Sequence, residues 1–493
     1  MRSAVLRRLG AHSGSLPRER EGKLVRRGVL AVAIVLGASW LSIPAFVNGF
    51  PFVFPDSVDY LVFTPHIYRS PFYGLLIFFF HLDRFIWGPV LVQALIASHL
   101  IWVLVRNFAG EPKLAWFGFI VLTVGLFSSL PFFTGFIMPD FFTSVMIQTF
   151  YLLGFQRAKL GKFEQIYFLL LGCVAICAHV SHLPQAILLA FLVLVLHLCF
   201  GNSLPTSLRR GAILSIPIAL AVCATMLNNV LIHGVFALFP AGQIFMLANM
   251  IEQGPARDYL QEVCPDAKLR ICSRGSTLPD KSEEFLWSTD NLQRLGGFEG
   301  MREEAGAVVA GTIRTRPSEV VRAMASSIAQ TFLVHAPGAE LFPLSNDPWM
   351  VDVLLKKFGP DTLRAYKASL EARDLIPRAF LRRLDELTFP AAVLALLIGV
   401  ACSLRLGLVD TLPLTLFVTA ALMINNVLCA VGSGVHDRYQ ARVTWLMALS
   451  TLLIFARLWR KETARVASGR VVGQSTSPGS AETPAFTQPN RVP

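Results

Sequence analysis

Residues able to do chemistry gather in a few short stretches between apolar runs, and the richest is NGFPFVFPDSVDYLVFTPHIYRSPFYG, with Asp56, Asp59, Tyr60, His66, Tyr68 and Arg69. A carboxylate such as Asp56 or Asp59 can take a proton from an attacking hydroxyl. An arginine such as Arg69 beside it can neutralise a phosphate, and a low local dielectric strengthens both effects. The same residues have a structural reading: Asp56 follows Pro55 and can N-cap a short helix, with Asp59 favourable to its amide end. A second stretch, MPDFF, sets Asp140 at the start of an apolar run as another acidic group or another cap.

HVSHLPQ carries His179 and His182 three residues apart, on one face of a continuing helix. They can relay a proton, hold a divalent metal or simply pack through hydrogen bonds, and no clear third ligand accompanies them, so the metal is unknown. GSGVHDRYQARV brings His436, Asp437, Arg438, Tyr439 and Arg442 directly before the last apolar run. Forked guanidinium donors match phosphate oxygens, which makes Arg438, with Tyr439, Arg69 and His436, the candidate phosphate-binding set; interfacial anchoring is the alternative.

The elements that position these stretches are membrane helices. With 54% hydrophobic and 15% charged residues and a mean hydropathy of +0.55, the composition excludes an ordinary soluble globular chain. The net charge of +12 could suggest nucleic acid, but the basic residues cluster at the ends of apolar runs, which is topology and not a nucleic-acid patch. Apolar runs fall at Gly28 to Val47, Phe85 to Val105, Leu114 to Leu130, Phe141 to Phe155, Gln165 to His179, Gln185 to Phe200, Gly211 to Leu231, Phe389 to Leu406, Leu412 to Val431 and Val443 to Leu458. They predict an all-α polytopic membrane protein of about ten transmembrane helices.

Basic residues before Gly28 orient the first run with its start in the cytoplasm, as a retained anchor rather than a cleaved signal peptide. Alternation then puts Arg106 with Lys113, Arg157 with Lys159 and Lys162, Arg209 with Arg210, Arg405, and Arg457 with Arg460 and Lys461 inside, and both termini with them. That parity needs Gln165 to Phe200 to be a hairpin bent at His179 to Pro184, because one helix of that length overshoots the bilayer. The expected organisation is a basic cytoplasmic tail (1–27), seven spans with an outside loop at 48–84 (28–231), a mainly helical exoplasmic domain (232–388), three spans (389–458) and a disordered cytoplasmic tail (459–493).

In the exoplasmic domain, helical spacing recurs around Ser318 to Leu333 and Trp349 to Leu370, with Pro317 suited to a helix start. Cys264 and Cys272 can close a disulfide there, while the other six cysteines lie in spans as packing residues. The absence of an N-x-S/T sequon favours a bacterial inner membrane. Asn228 with Asn229 and Asn425 with Asn426 read as interhelical hydrogen-bonding pairs or chance.

PDSVDY with the following RSPFYG, MPD and HDRYQ together resemble the GT-C superfamily of membrane glycosyltransferases: an acidic first outside loop, many spans and a late outside Arg-Tyr. The resemblance covers short pieces of the membrane region. It implies a polyprenyl-phosphate-linked sugar as donor, a lipid or glycan as acceptor, inversion at the anomeric centre, Asp56 as base, Asp140 as a second acidic group and Arg438 as phosphate partner. Many members carry two adjacent acidic residues in this loop, whereas Ser57 and Val58 separate Asp56 from Asp59, and the exoplasmic domain lies between spans instead of at the C terminus. Asp59, His179, His182 and Tyr60 complete the candidate site. The alternatives are a flippase or transporter, or a polymerase, of lipid-linked saccharides; a transport path favours charges near the midplane, whereas these clusters sit at loop ends.

Overall fold

In the computed structural model, which describes residues 15–264 and 266–474, the chain is built of helices, with no strand among the described residues and one isolated bridge between Phe52 and Phe136. Helices are the outcome such a composition dictates, because in hydrocarbon each backbone N–H and C=O must be satisfied within its own segment. Among the described residues, seven helical stretches are long and apolar enough to cross a membrane: Leu24–Leu41, Gly88–Phe108, His182–Cys199, Leu204–His233, Arg378–Arg405, Val409–Gly432 and Asp437–Arg465. The three remaining runs also form helices, but shorter ones: Lys113–Phe127 and Phe141–Phe155 with 15 residues each, and Lys162–Ala178 with 17. Fifteen residues cover about 22 Å at about 1.5 Å each, less than the roughly 30 Å of a hydrocarbon core.

The chain bends between Ala178 and His182, where the sequence requires a hairpin. A further short apolar helix, Phe72–His81, forms inside the first loop, where the sequence alone suggests only connection. The N-terminal helix is already formed at Ser15, and the last one continues from Asp437 to Gln474, past the end expected at Leu458. Of the tails expected at 1–27 and 459–493, residues 1–14 and 475–493 lie outside the described residues, and the described parts are helical.

Burial sorts the helices. Phe141–Phe155 is buried at every position from Phe141 to Gly154, and 72% of the spanning window of the last helix is inside, against 17% for Leu204–His233 and Arg378–Arg405. Helices apolar on all sides either fill a core or face lipid; the first two fill the core, and the others turn outward. The candidate site therefore hangs on the two most enclosed helices, Asp140 preceding one and Arg438 beginning the other.

The insert between Leu204–His233 and Arg378–Arg405 divides physically. Gly242–Glu252, Ser282–Trp287, Arg302–Thr315 and Pro317–Leu333 enclose a core of their own around Ile244, Leu247, Phe285, Met301 and Val308. Cys264 and Cys272 are bonded there, with Cα atoms 5.2 Å apart. Farther on, Leu341, Leu354 and Tyr366 join the core of the main bundle instead. In that second part, Gly359, at φ 88°, and Pro360 split the helical spacing after Trp349 into Pro348–Val353 with a π turn and Pro360–Ala368.

Candidate functional site

The first loop is held by its backbone. Gly49, at φ 83°, turns the chain out of the short helix Ile43–Asn48, a left-handed conformation that glycine adopts without strain. Phe52 then pairs with the loop before Asp140, donating to the Gly135 carbonyl and accepting from the Ile137 N–H, both at 2.9 Å. The Val53 N–H donates to the buried Glu371 carboxyl at 3.2 and 3.3 Å, and the Glu371 N–H donates to Asn48 Oδ1 at 2.8 Å. Burial pushes the Glu371 carboxyl well above its ordinary range. Ser57 Oγ accepts from the Phe54 N–H and donates to the Ile137 carbonyl, each at 2.9 Å. Three separate parts of the chain thus fix the backbone that presents Asp56.

Asp56 and Asp140 both stand at N-cap positions, of Ser57–Val62 and Phe141–Phe155, yet neither side chain bonds a helix amide. The capping reading is overturned because arginines outcompete the amides. Phe63 ends Ser57–Val62 in the left-handed region at φ 56°, and the returning chain delivers His66 and Arg69 to the two aspartates. Arg69 Nη2 meets Asp56 Oδ1 at 2.8 Å and Nη1 bonds Asp59, while His66 Nε2 lies 3.2 Å from Asp59 Oδ1. Arg69 is therefore spent on carboxylates rather than free for phosphate. Tyr60 is buried under this guanidinium, its ring centroid 5.4 Å away, and burial pushes its phenol up. Tyr68 stacks on His66 at 4.8 Å; burial, against the opposing pull of Arg69, pushes its hydroxyl up to about 12.

Arg438 approaches from the far end of the chain. Its Nη1 is 3.9 Å from Asp56 Oδ2, its Nε is 3.3 Å from Glu340 Oε2, and its guanidinium lies over Phe54 at 4.2 Å. Nε and Nη1 are buried and have no hydrogen-bond partner among the described residues. His436 Nδ1 sits 3.6 Å from Glu340. Burial opposes the charge on Glu340, but the His436 and Arg438 contacts outweigh it and hold its carboxyl below the usual value. The Tyr439 hydroxyl bonds Ser433 Oγ at 2.9 Å, with its ring against His436 and both Arg438 and Arg442.

One turn further, Arg442 is closed. Its Nη1 donates to Asp140 Oδ1 at 3.1 Å, and Nη2 and Nε donate to Asn425 Oδ1 at 2.9 and 3.3 Å. Asp140 is 2% exposed and Arg442 not at all, so the second acidic group of the sequence reading is half of a sealed ion pair. Asn425 and Asn426 make the interhelical bonds expected of them, to Arg442 and to the Ile328 carbonyl. His182 is equally committed, donating from Nδ1 to the Ala175 carbonyl at 2.6 Å with Nε2 2.7 Å from the Thr143 hydroxyl. His179 Nδ1 faces Ser181 Oγ at 2.8 Å. Among the described residues no three His, Cys, Asp or Glu side chains converge as metal ligands.

One small apolar cleft reaches Arg438, and it shares Phe132 and Pro337 with a larger groove. A groove of about 230 Å³ runs between Trp40, Phe127, Phe132, Pro337 and Phe380, and a cleft of about 20 Å³ continues from Phe132 and Pro337 to Glu340 and Arg438. On the other side, Arg69 and His179 share a cleft of about 30 Å³. Sequence reasoning missed Glu340 and Glu371: neither sits in a motif, and only the return of each segment onto the first loop or the last helix reveals its contacts. Compared with protein families, curated proteins and solved structures, the chain matches none.

Proposed function

We propose that this chain is a GT-C-like inverting glycosyltransferase that moves a sugar from a polyprenyl-phosphate donor to a lipid or glycan acceptor. In this reading about ten helices span a bacterial inner membrane, both termini are cytoplasmic and the Asp56 end faces the periplasm. The observation that carries the reading is the junction of Asp56 with an arginine whose buried Nε and Nη1 have carboxylates nearby but make no hydrogen bond among the described residues, in a small cleft adjoining an apolar groove. Buried donors without partners cost about 1–3 kcal/mol each, a penalty that phosphate oxygens would relieve.

The donor's tail occupies the groove and its phosphate meets Arg438. Asp56, oriented by Arg69, accepts the proton of the acceptor hydroxyl while that oxygen bonds the anomeric carbon from the face opposite the phosphate. The bond between the anomeric carbon and the phosphate oxygen breaks with its electron pair passing to the phosphate, where Arg438 stabilises the charge. Inversion follows from this single displacement. Glu340 and His436 position Arg438, and Asp59 with His66 holds the other face of Arg69.

The test is mass spectrometry of lipid-linked and surface glycans from a deletion strain complemented with wild type, Asp56→Asn or Arg438→Ala at matched membrane abundance. Wild type restores a defined sugar, and Asp56→Asn lowers its transfer roughly 10²- to 10⁴-fold, the usual worth of a positioned base. Full restoration by Asp56→Asn would remove the base and put a flippase of lipid-linked saccharide ahead.

A further inference from the structure

Where the insert's own core touches the first loop, the contact is a group of rings. Tyr68 lies 4.2 Å from Phe298 and 5.5 Å from Trp287, and Phe245 approaches Trp287 and Phe298 at 6.3 and 5.6 Å. If this junction served only to dock the insert, its largest ring would be covered. Trp287 instead remains 48% exposed and stands outside the insert's core cluster. The polar edges are open as well: the Tyr68 hydroxyl and the Trp287 indole N–H take no hydrogen-bond partner among the described residues, and Glu299, next to Phe298, is exposed with no ion-pair partner there.

Aromatic faces carry negative charge density and attract the polarised C–H faces of a pyranose, while N–H, O–H and carboxylate groups at the rim match its hydroxyls. We propose that Trp287, with its open ring face, and Tyr68, with its hydroxyl, form a saccharide subsite backed by Phe298 that receives a sugar unit of the acceptor. The link to Asp56 follows from contacts already described: Tyr68 stacks on His66, His66 meets Asp59, and Arg69, 5.3 Å over Tyr68, bonds Asp56. Arg438 approaches the other carboxylate oxygen of Asp56, Oδ2. A saccharide at the rings is thus linked to Asp56 by a run of contacts that does not pass through Arg438. Its assignment as acceptor rests on the transferase reading; its binding does not.

The experiment is saturation-transfer difference NMR on the full chain in lipid nanodiscs, with methyl α-glucoside, methyl β-galactoside and methyl α-mannoside as probes. Wild type and Asp56→Asn should transfer saturation to the ring C–H protons of at least one glycoside. Trp287→Ala should weaken that binding roughly two- to tenfold, the range of one aromatic contact, and Trp287→Phe by less. Tyr68→Phe keeps the ring and the fold, and should also weaken binding by removing one hydroxyl. No transfer from wild type to any probe, or equal binding by wild type, Trp287→Ala and Tyr68→Phe, overturns the subsite. Binding intact in a strain where Asp56→Asn restores all glycans would instead sink the transferase reading alone.

Discussion

Arg438 and Arg442 are one turn apart on the last helix, and the protein treats them in opposite ways. Arg442 is wholly enclosed and its donors end on Asp140, Asn425 and Cys429. Arg438 has two carboxylates near enough to balance its charge but none that satisfies Nε and Nη1. A buried ion pair with complete hydrogen bonding is a structural solution, costly to break; a buried cation with idle donors is costly to leave as it is. The pair of arginines thus separates what holds the bundle together from what is left for a ligand.

The largest effect that can break this comparison comes from truncating each arginine. Arg442→Ala leaves the Asp140 carboxylate buried without its cation, which costs about 3–5 kcal/mol against a total stability of roughly 5–15 kcal/mol. Its membrane abundance and monodispersity on size exclusion should collapse. Arg438→Ala should remain abundant and lose sugar transfer, and if both variants collapse alike the distinction fails. A smaller effect sharpens the same point through the acids: Asp140→Asn keeps an acceptor for Arg442 but removes the charge, for a loss of roughly 1–3 kcal/mol in thermal stability. Asp56→Asn, at a carboxylate 23% exposed, should leave the unfolding temperature close to wild type while lowering the proposed transfer roughly 10²- to 10⁴-fold.

Much of this was legible in the residues. The ten apolar runs all became helices, the bend at His179 to His182 was demanded by length and charge parity, and Asp56 with Arg438 was singled out from residue type and loop position. What misled was local logic. Asp56 and Asp140 occupy cap positions as their neighbours suggest, but the competing arginines, Arg69 returned by the turn at Phe63 and Arg442 from the last helix, are not visible to a local rule. Arg69 looked like a phosphate ligand until the left-handed Phe63 returned it to Asp56 and Asp59. Glu340 sits in APGAELFP, a segment with no periodicity to mark it, and its meaning is entirely a tertiary contact with His436 and Arg438.

Glu340 also supplies the mildest test of the difference between the two arginines, because the open centre is balanced by a carboxylate that titrates. Its folded-state value lies below the ordinary 4.5, since His436 and Arg438 favour the charged form by more than burial opposes it. A group depressed in this way contributes stability that is complete above its unfolded value and is lost as pH falls through its folded one. The stability difference between wild type and Glu340→Gln should therefore shrink toward zero as pH falls below about 4.5. Thermal unfolding of both proteins in the same detergent, from pH 7 downward, measures it, and the effect should be smaller than that of Asp140→Asn because the Glu340 side chain is 19% exposed. A difference that survives unchanged at the acid end would mean that Glu340 acts through packing or its neutral hydrogen bond. Arg438 would then be held as Arg442 is, by shape and fixed partners, and the open character assigned to it would have to rest on its idle donors alone.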